Sequence, residues 1–276
     1  MPLDARSIYT SPGTCLALRT VVDTSFHNGR GVLLLFAGLL LASTARAGVG
    51  DFAAGLTPGG ELTLTSDYIY RGLSQSDGHG AVQADLHVAT QGGTFLGVWA
   101  SSRDADLEPG ANAVLEGYLG HRFNLSTVWN ATVSGRAYHY LNASTYAPSD
   151  DYQEIAASLT YLDSWTVSIT CIPNAVRYWF YTRLSRAPAW VADTSGQWLL
   201  GRQFFITAGA GYYRTQGTGS GKERATGYAY GNAGVAWEHG PFWADLGYFL
   251  TQDAAERSFP YPTAGHKFAG TVSWRF

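Results

Sequence analysis

The chain has 276 residues, of which 14% are charged and 14% aromatic, with nine Trp, seventeen Tyr and 33 Gly. Its formal net charge of −3 argues against a polyanion-binding surface, so nucleic acid is not an expected partner. A mean hydropathy near zero excludes a helical membrane protein, while few charges with many aromatics and glycines fit β-structure facing something other than water.

The first recognisable element is the apolar run Val32 to Ala42, preceded by Arg30 and followed by Ala45, Arg46 and Ala47. It is short for a transmembrane helix and has the layout of a secretory signal peptide, with cleavage expected after Ala47. Residues 1–47 are therefore read as a leader, with translation starting at Met1 or at a non-Met codon near Val21 or Val22, and residues 48–276 as one domain. Cys15 lies in the leader, which leaves Cys171 alone in the mature chain and no intrachain disulfide.

Beyond the leader, segments of about ten residues alternate between polar and apolar positions, the period of a strand with two different faces. The first is expected over Glu61–Arg71, with Leu62, Leu64, Tyr68 and Tyr70 on one face and Glu61, Asp67 and Arg71 on the other. Others follow at Gly80–Thr90, Thr94–Ser102, Asn112–Phe123, Val128–Tyr140 and Asp151–Tyr161. The seventh, Ser164–Val176, contains Pro173 and is expected to bend or leave the ladder there. The remaining strands are read at Ala189–Trp198, Gln203–Tyr213, Ala225–Glu238, Phe242–Thr251 and His266–Phe276.

Connections after odd strands are long and polar, including a thirteen-residue loop read over Val176–Pro188; those after even strands are tight. Short turns at one end and long loops at the other are the pattern of an outer-membrane β-barrel. The expected fold is thus an all-β, antiparallel up-and-down transmembrane barrel of about twelve strands. A lipocalin-like barrel or β-sandwich is the water-soluble alternative. Aromatics near strand ends, Trp129, Tyr161, Trp165, Trp190, Trp198, Trp237, Phe242 and Trp274, fit interfacial girdles. The last strand is expected to pair with the first, because a sheet in a bilayer must close on itself.

The stretch "SDYIYRGLSQSDGHGAVQADL", followed by "GVWASS", resembles the proteobacterial TorF-type porin family. Ser66, Asp67, Tyr68, Arg71, Gly72, Ser74, Gln75, Ala81, Gln83, Gly97, Trp99 and Ser101 carry the likeness. It covers the first three strands; beyond them only the strand rhythm continues to Phe276. The resemblance implies an outer-membrane barrel with a channel-like role. It also implies that Trp274 and Phe276 serve as part of an assembly signal read by the barrel assembly machinery.

The polar strand faces nominate pore-lining residues: Asp67, Arg71, Gln83, Asp85, His87, Glu116, Arg122, Arg136, Glu154, Asp193, Asp245, Lys267 and Arg275. Mixed charges across a narrow barrel either hold solutes or brace the wall, since buried charges need partners. Asp67 and Arg71, four apart on one strand face, lie too far apart to pair, so a polar cluster with Asp85, His87, Lys267 and Arg275 is expected at the closing seam.

Other motifs carry less. Asp104, Asp106 and Glu108 offer hard oxygens for a divalent cation but without a calcium-loop glycine, so a solvated loop is the expectation. "GTGSGKER" lacks the Ser or Thr that a phosphate loop needs after Lys222. His139, Asn142 and Ser144 would be the start of an outer-membrane lipase site, though no fixed triad spacing supports one.

The leading expectation is an exported outer-membrane porin with a narrow channel for small solutes, no cofactor and no metal. Its partners would be outer-membrane lipid and lipopolysaccharide. The alternatives are a structural or adhesive barrel with an occluded lumen, and a lipid-modifying enzyme.

Overall fold

The computed structural model describes residues 55–104, 111–141, 151–179, 182–217, 225–256 and 264–276. The expected leader lies outside them.

Twelve antiparallel strands close into one barrel. In chain order they are β1 (Leu56–Thr65), β4 (Ala81–Thr90), β5 (Thr94–Ser102), β6 (Ala113–Asn124), β7 (Trp129–Leu141), β8 (Tyr152–Tyr161), β9 (Trp165–Trp179), β10 (Thr182–Gly201), β11 (Phe204–Thr215), β12 (Gly227–His239), β13 (Phe242–Thr251) and β14 (Lys267–Arg275). Two short strands, β2 (Ile69–Tyr70) and β3 (Leu73–Ser74), pair only with each other. A short 3-10 turn spans Asp253–Ala255. Each barrel strand pairs with its chain neighbours, and β14 returns to β1 with Leu62 opposite Trp274 and Leu64 opposite Val272. Closure leaves no unpaired edge, the condition for a sheet in a bilayer.

The two faces are inverted relative to a water-soluble barrel. Leu64, Leu96, Leu119, Ile155, Leu246 and Phe268 point outward and are exposed, Phe268 to 73%. Thr63, Gln83, Ser101, Glu116, Glu154 and Thr271 alternate with such positions and are buried inside. Apolar residues outside and polar residues inside, at a strict period of two, exclude the lipocalin-like alternative, which buries its apolar face inward.

Tight turns gather at one end, at residues 91–93, 125–128, 162–164, 202–203 and 240–241. Leu162 and Asp163 both adopt left-handed φ, 50° and 51°, the central positions of a turn closed by the Ser164 N–H on the Tyr161 carbonyl at 3.0 Å. Trp129, Tyr161, Trp165, Trp198, Trp237, Phe242 and Trp274 sit on strands at this end, and Trp190 sits towards the other.

Two expectations about the strands fail. The first strand starts at Leu56 and stops at Thr65, so Tyr68, Tyr70, Asp67 and Arg71 are not on its faces. Arg71 and Gly72 both have left-handed φ, 51° and 78°, which turns the chain back and sets Tyr70 opposite Leu73 and Ile69 opposite Ser74. Likewise, the long loop expected over Val176–Pro188 is mostly strand. β9 and β10 run for 15 and 20 residues, and above the last pairs with β8 and β11, Ile155–Cys171 and Ala189–Thr215, they pair only with each other. The bend expected at Pro173 is present. Residues 173 and 174 lie opposite the single residue Pro188, and the register shifts between Ala187 and Ala189. A proline cannot donate to the ladder, and a bulge accommodates it.

Candidate functional site

Among the described residues the barrel interior gathers buried polar side chains, and residues 66–80 organise it. This segment does not extend outward as a loop. It folds into the barrel as the β2–β3 hairpin, and its residues are seated against opposite walls. Tyr68 meets Trp99 on β5 edge to face at 5.6 Å. Ile69 clusters with Phe249 and Ala269 on β13 and β14. Leu73 clusters with Ile172, Val191, Tyr213 and Tyr228 on β9 to β12. The Gly72 carbonyl accepts a 2.5 Å hydrogen bond from Thr251 Oγ1. A Cβ at Gly72 would stand 2.6 Å from the Tyr230 Cβ, so only glycine fits both the turn and the wall.

Asp67 holds the base of this hairpin. Its carboxylate accepts hydrogen bonds from Ser74 Oγ and from Ser76 Oγ, the latter at 3.2 Å. Ser76 Oγ also accepts from the Tyr68 backbone N–H at 2.8 Å, and the Gln75 N–H donates to the Tyr68 carbonyl at 2.6 Å. Arg103 Nη2 on the wall donates to Gln75 Oε1 at 3.0 Å. Asp67 lies between β1 and β2, outside the barrel strands. Burial raises its pKa above the ordinary carboxylate value, against the hydrogen bond from Ser74, the charge of Lys267 and the hydrogen bond from Ser76.

Arg71 at the hairpin tip reaches β8, where it forms a two-pronged contact with Glu154 at 2.7 and 3.1 Å. Tyr70 Oη donates to the same Glu154 carboxylate at 3.2 Å and lies 3.3 Å from Tyr138 Oη. Arg136 stands 3.6 Å from both Glu154 and Glu116. The register explains the cluster: Glu154 opposes Arg136, Arg136 opposes Tyr118, and Tyr138 opposes both Glu116 and Tyr152. Tyr138 and Tyr152 stack at 4.4 Å. Nearer β4, Asp85 accepts from Tyr118 Oη at 2.7 Å and lies 2.6 Å from His87 Nδ1. The β4 to β8 side of the interior is therefore filled with rings and paired charges.

The β10 to β14 side differs. Gly209, Gly211, Gly234 and Gly247 lie on β11, β12 and β13. Asp193 accepts from Tyr230 Oη, and buried Asp245 lies opposite Thr271. Lys267 is half-buried at the β14 start and contributes positive charge at Asp67. Gln83, fully buried on β4, lies between Thr63 and Ser101.

The nominated residues thus divide. Arg71, Glu116, Arg136 and Glu154 form one cluster, and Asp85 pairs with His87. Of the polar seam cluster expected around Asp67 and Arg71, only the charge of Lys267 at Asp67 is present, because Arg71 crosses to Glu154 and the Asp67 carboxylate turns to Ser74 and Ser76 of its own hairpin. Arg275 does lie at the seam, where its Nε donates to Glu61 Oε2 at 3.1 Å. Arg122 sits at the tight-turn end and pairs with exposed Asp163, away from the central cluster. Sequence reasoning missed Tyr70, Tyr118, Tyr138 and Tyr152 as site residues. Tyr118, Tyr138 and Tyr152 share strand faces with the nominated charges, which was the available signal.

His139 is exposed and holds Asp151 at 2.7 Å, while Asn142 and Ser144 lie outside the described residues. Asp104 is tied to His79 at 2.8 Å, with Asp106 and Glu108 outside the described residues. Among the described residues no group of three or more His, Cys, Asp or Glu is placed to hold a metal ion.

A model of a bacterial protein family of unknown function, Gcw_chp, matches residues 51–171. No curated protein matches the sequence. Among solved structures, the NanC porin in a rhombohedral crystal form aligns with a TM-score of 0.50 at 9% identity, over 79% of this chain and 98% of that one. The KdgM porin aligns with a TM-score of 0.46 at 7% identity, over 80% of this chain and 99% of that one. At this identity the first likeness establishes a porin-like barrel fold.

Proposed function

We propose that the protein is an outer-membrane porin of the TorF type, exported with cleavage after Ala47, whose narrow lumen passes small solutes past an inward hairpin. The observation that supports it is a closed twelve-stranded barrel, apolar outside and polar inside, with residues 66–80 folded across the interior. Twelve strands enclose more room than the eight that side chains fill completely, and less than the sixteen of open porins. A hairpin seated in that space sets the width of the passage. The apolar exterior faces lipid, aromatic residues at the strand ends lie at the interfaces, and Trp274 with Phe276 present the assembly signal.

The occluded, structural reading draws on the same hairpin, because its seating on both walls also closes a passage. Planar-bilayer recording separates the two. Purified parent protein is compared with a variant in which residues 68–78 are replaced by a short Gly-Ser linker. A porin gives discrete conductance steps in the parent and larger ones in the variant. Silence of the parent at every voltage, with steps only in the variant, identifies a structural barrel.

A further inference from the structure

We propose that the tight-turn end of the lumen is a vestibule whose β7 to β10 wall binds small uncharged polyhydroxylated solutes, such as monosaccharides. The inference rests on the porin reading and adds a binding site and a solute class.

The interior changes along its axis. Around the hairpin the inward side chains are sealed. Tyr138, Glu154, Ile172, Val191, Tyr228 and Phe249, each from a different strand, are all 5% exposed or less. Tyr138 shares an apolar cluster with Tyr68 of the hairpin segment, Ile172, Val191 and Tyr228 share one with Leu73, and Phe249 shares one with Ile69. This sealed level closes the vestibule on the side of the hairpin.

Towards the tight turns the inner face of β7 to β10 is open. Asn130, Thr160, Thr166 and Ser195 oppose one another in turn across the four strands, and all are part-exposed. Two residues further in, Thr132, Ser158, Ser168 and Asp193 form a second row in the same way, also part-exposed. The alternate positions Val133, Ile155, Ile169 and Trp198 are the exposed outer face, so both rows face the lumen and are exposed to it.

All of these side chains except Asp193 are uncharged, and Asp193 already accepts from Tyr230 Oη. The other charges border the rows. Arg122, opposite Thr132, is paired with Asp163 in the turn, and Asp163 also accepts from Asn130 Nδ2 at 3.1 Å. Arg275 pairs with Glu61 at the seam, and Glu238 lies at the turn end of β12.

The chemistry of the wall names the solute. From the strand spacing and rise, the two rows cover roughly 14 Å by 7 Å, a footprint for one or two sugar rings. Each Ser and Thr hydroxyl both donates and accepts, as the hydroxyls of a polyol do. A neutral polyol therefore exchanges hydrogen bonds to water for equivalent ones to the wall. An acidic solute finds no unpaired cation in the rows to offset its lost hydration, and it meets Asp193.

The test is the rate at which iodoacetamide modifies single cysteines in the purified protein, with and without D-glucose or glucuronate. Ser168→Cys is made in a Cys171→Ser background, because Cys171 is a free thiol. It is expected to react about tenfold or more faster than Thr207→Cys, whose site is 0% exposed and needs local opening. Glucose should slow Ser168→Cys about threefold or more, and glucuronate should not. Leu125→Cys, on an exposed turn, should respond to neither. Thr166→Val with Ser195→Ala, added to Ser168→Cys, should remove most of the glucose protection and leave the unprotected rate unchanged. Each variant must show parental heat-modifiable mobility; if Ser168→Cys does not, Ser158→Cys, directly opposite on β8, takes its place. A reaction as slow as that of Thr207→Cys overturns the vestibule. No protection by glucose, or equal protection by glucuronate, overturns the solute class and with it the inference. Potassium chloride conductance in planar bilayers tests the porin reading separately: a silent parent that glucose still protects loses that reading and keeps the site.

Discussion

Arg71 and Glu154, 83 residues apart in the chain, meet end-on inside the barrel, with Nη1 2.7 Å from Oε1 and Nη2 3.1 Å from Oε2. Both side chains are almost wholly buried. The pair fastens the tip of an inward hairpin to a wall strand, so it controls how firmly the hairpin stays across the lumen.

Removing one partner of a buried pair strands the other, at a cost of about 3–5 kcal/mol. The two removals are not equivalent here. Arg71→Met leaves Glu154 with Arg136 at 3.6 Å, whereas Glu154→Gln takes the carboxylate that Arg71 holds and one of the two that stand 3.6 Å from Arg136. Glu154→Gln is therefore expected to lower the unfolding temperature on heat-modifiability gels more than Arg71→Met does. Both should raise conductance by loosening the hairpin. Equal destabilisation by the two variants would contradict the shared role of Glu154.

Phe276 and Gly60 exchange both backbone hydrogen bonds, at 2.9 and 3.0 Å. A Cβ on Gly60 would stand 2.6 Å from the Phe276 ring and 2.9 Å from the Asp85 carbonyl. Closure of the barrel thus depends on a glycine under an aromatic ring. Gly60→Val and deletion of Phe276 should each reduce the folded fraction on unheated gels several-fold while total protein is maintained. Parental folded yield in the Phe276 deletion would remove its assembly role.

How much of this was legible in the sequence follows from what periodicity can report. Strands with one outward apolar face, such as Phe242–Thr251, were readable to the residue because each side chain declares its face. The hairpin was not, because Tyr68 and Tyr70 continue the alternation of Leu62 and Leu64 although the chain has already left the wall. The turn at Arg71–Gly72 carries only one glycine, so its sequence reads equally well as strand. The extended β9–β10 pairing was mistaken for loop because Arg177, Arg183 and Arg186 interrupt the apolar–polar alternation of the sequence there. Individual charges were found by their strand faces, but their partners were not. Partnering of Arg71 with Glu154 depends on the hairpin crossing the lumen, which no local pattern encodes.

Asp67 gives the hairpin a pH dependence with a definite sign. Its pKa in the folded protein is raised, so the protonated form is favoured by folding. The associated stability is fully present below the unfolded carboxylate pKa and is lost as pH rises through the folded value. As pH rises above the ordinary carboxylate pKa of about 4, the parent hairpin should become easier to cleave by added protease, while Asp67→Asn should show a flatter profile. Identical slopes in the two proteins would show that Asp67 does not set this dependence.

Ion preference should follow the inward carboxylates of β10 and β13, Asp193 and Asp245. Asp67 and Asp85 are engaged by Ser74, Tyr118 and His87, so they act mainly as braces. Asp193 keeps one carboxylate oxygen without a hydrogen-bond partner among the described residues, and Asp245 lies on the same side of the interior, opposite Thr271. Side-chain charges lining a pore select ions by sign. Asp193→Asn with Asp245→Asn should move the reversal potential in a potassium chloride gradient towards anion preference. Asp67→Asn with Asp85→Asn should move it less and should lower the unfolding temperature more, because it removes acceptors from buried donors. Both double variants must first show parental heat-modifiable mobility. A larger shift from the Asp67 and Asp85 pair would place the conducting path on the β4 to β8 side instead, through the tyrosine and arginine cluster.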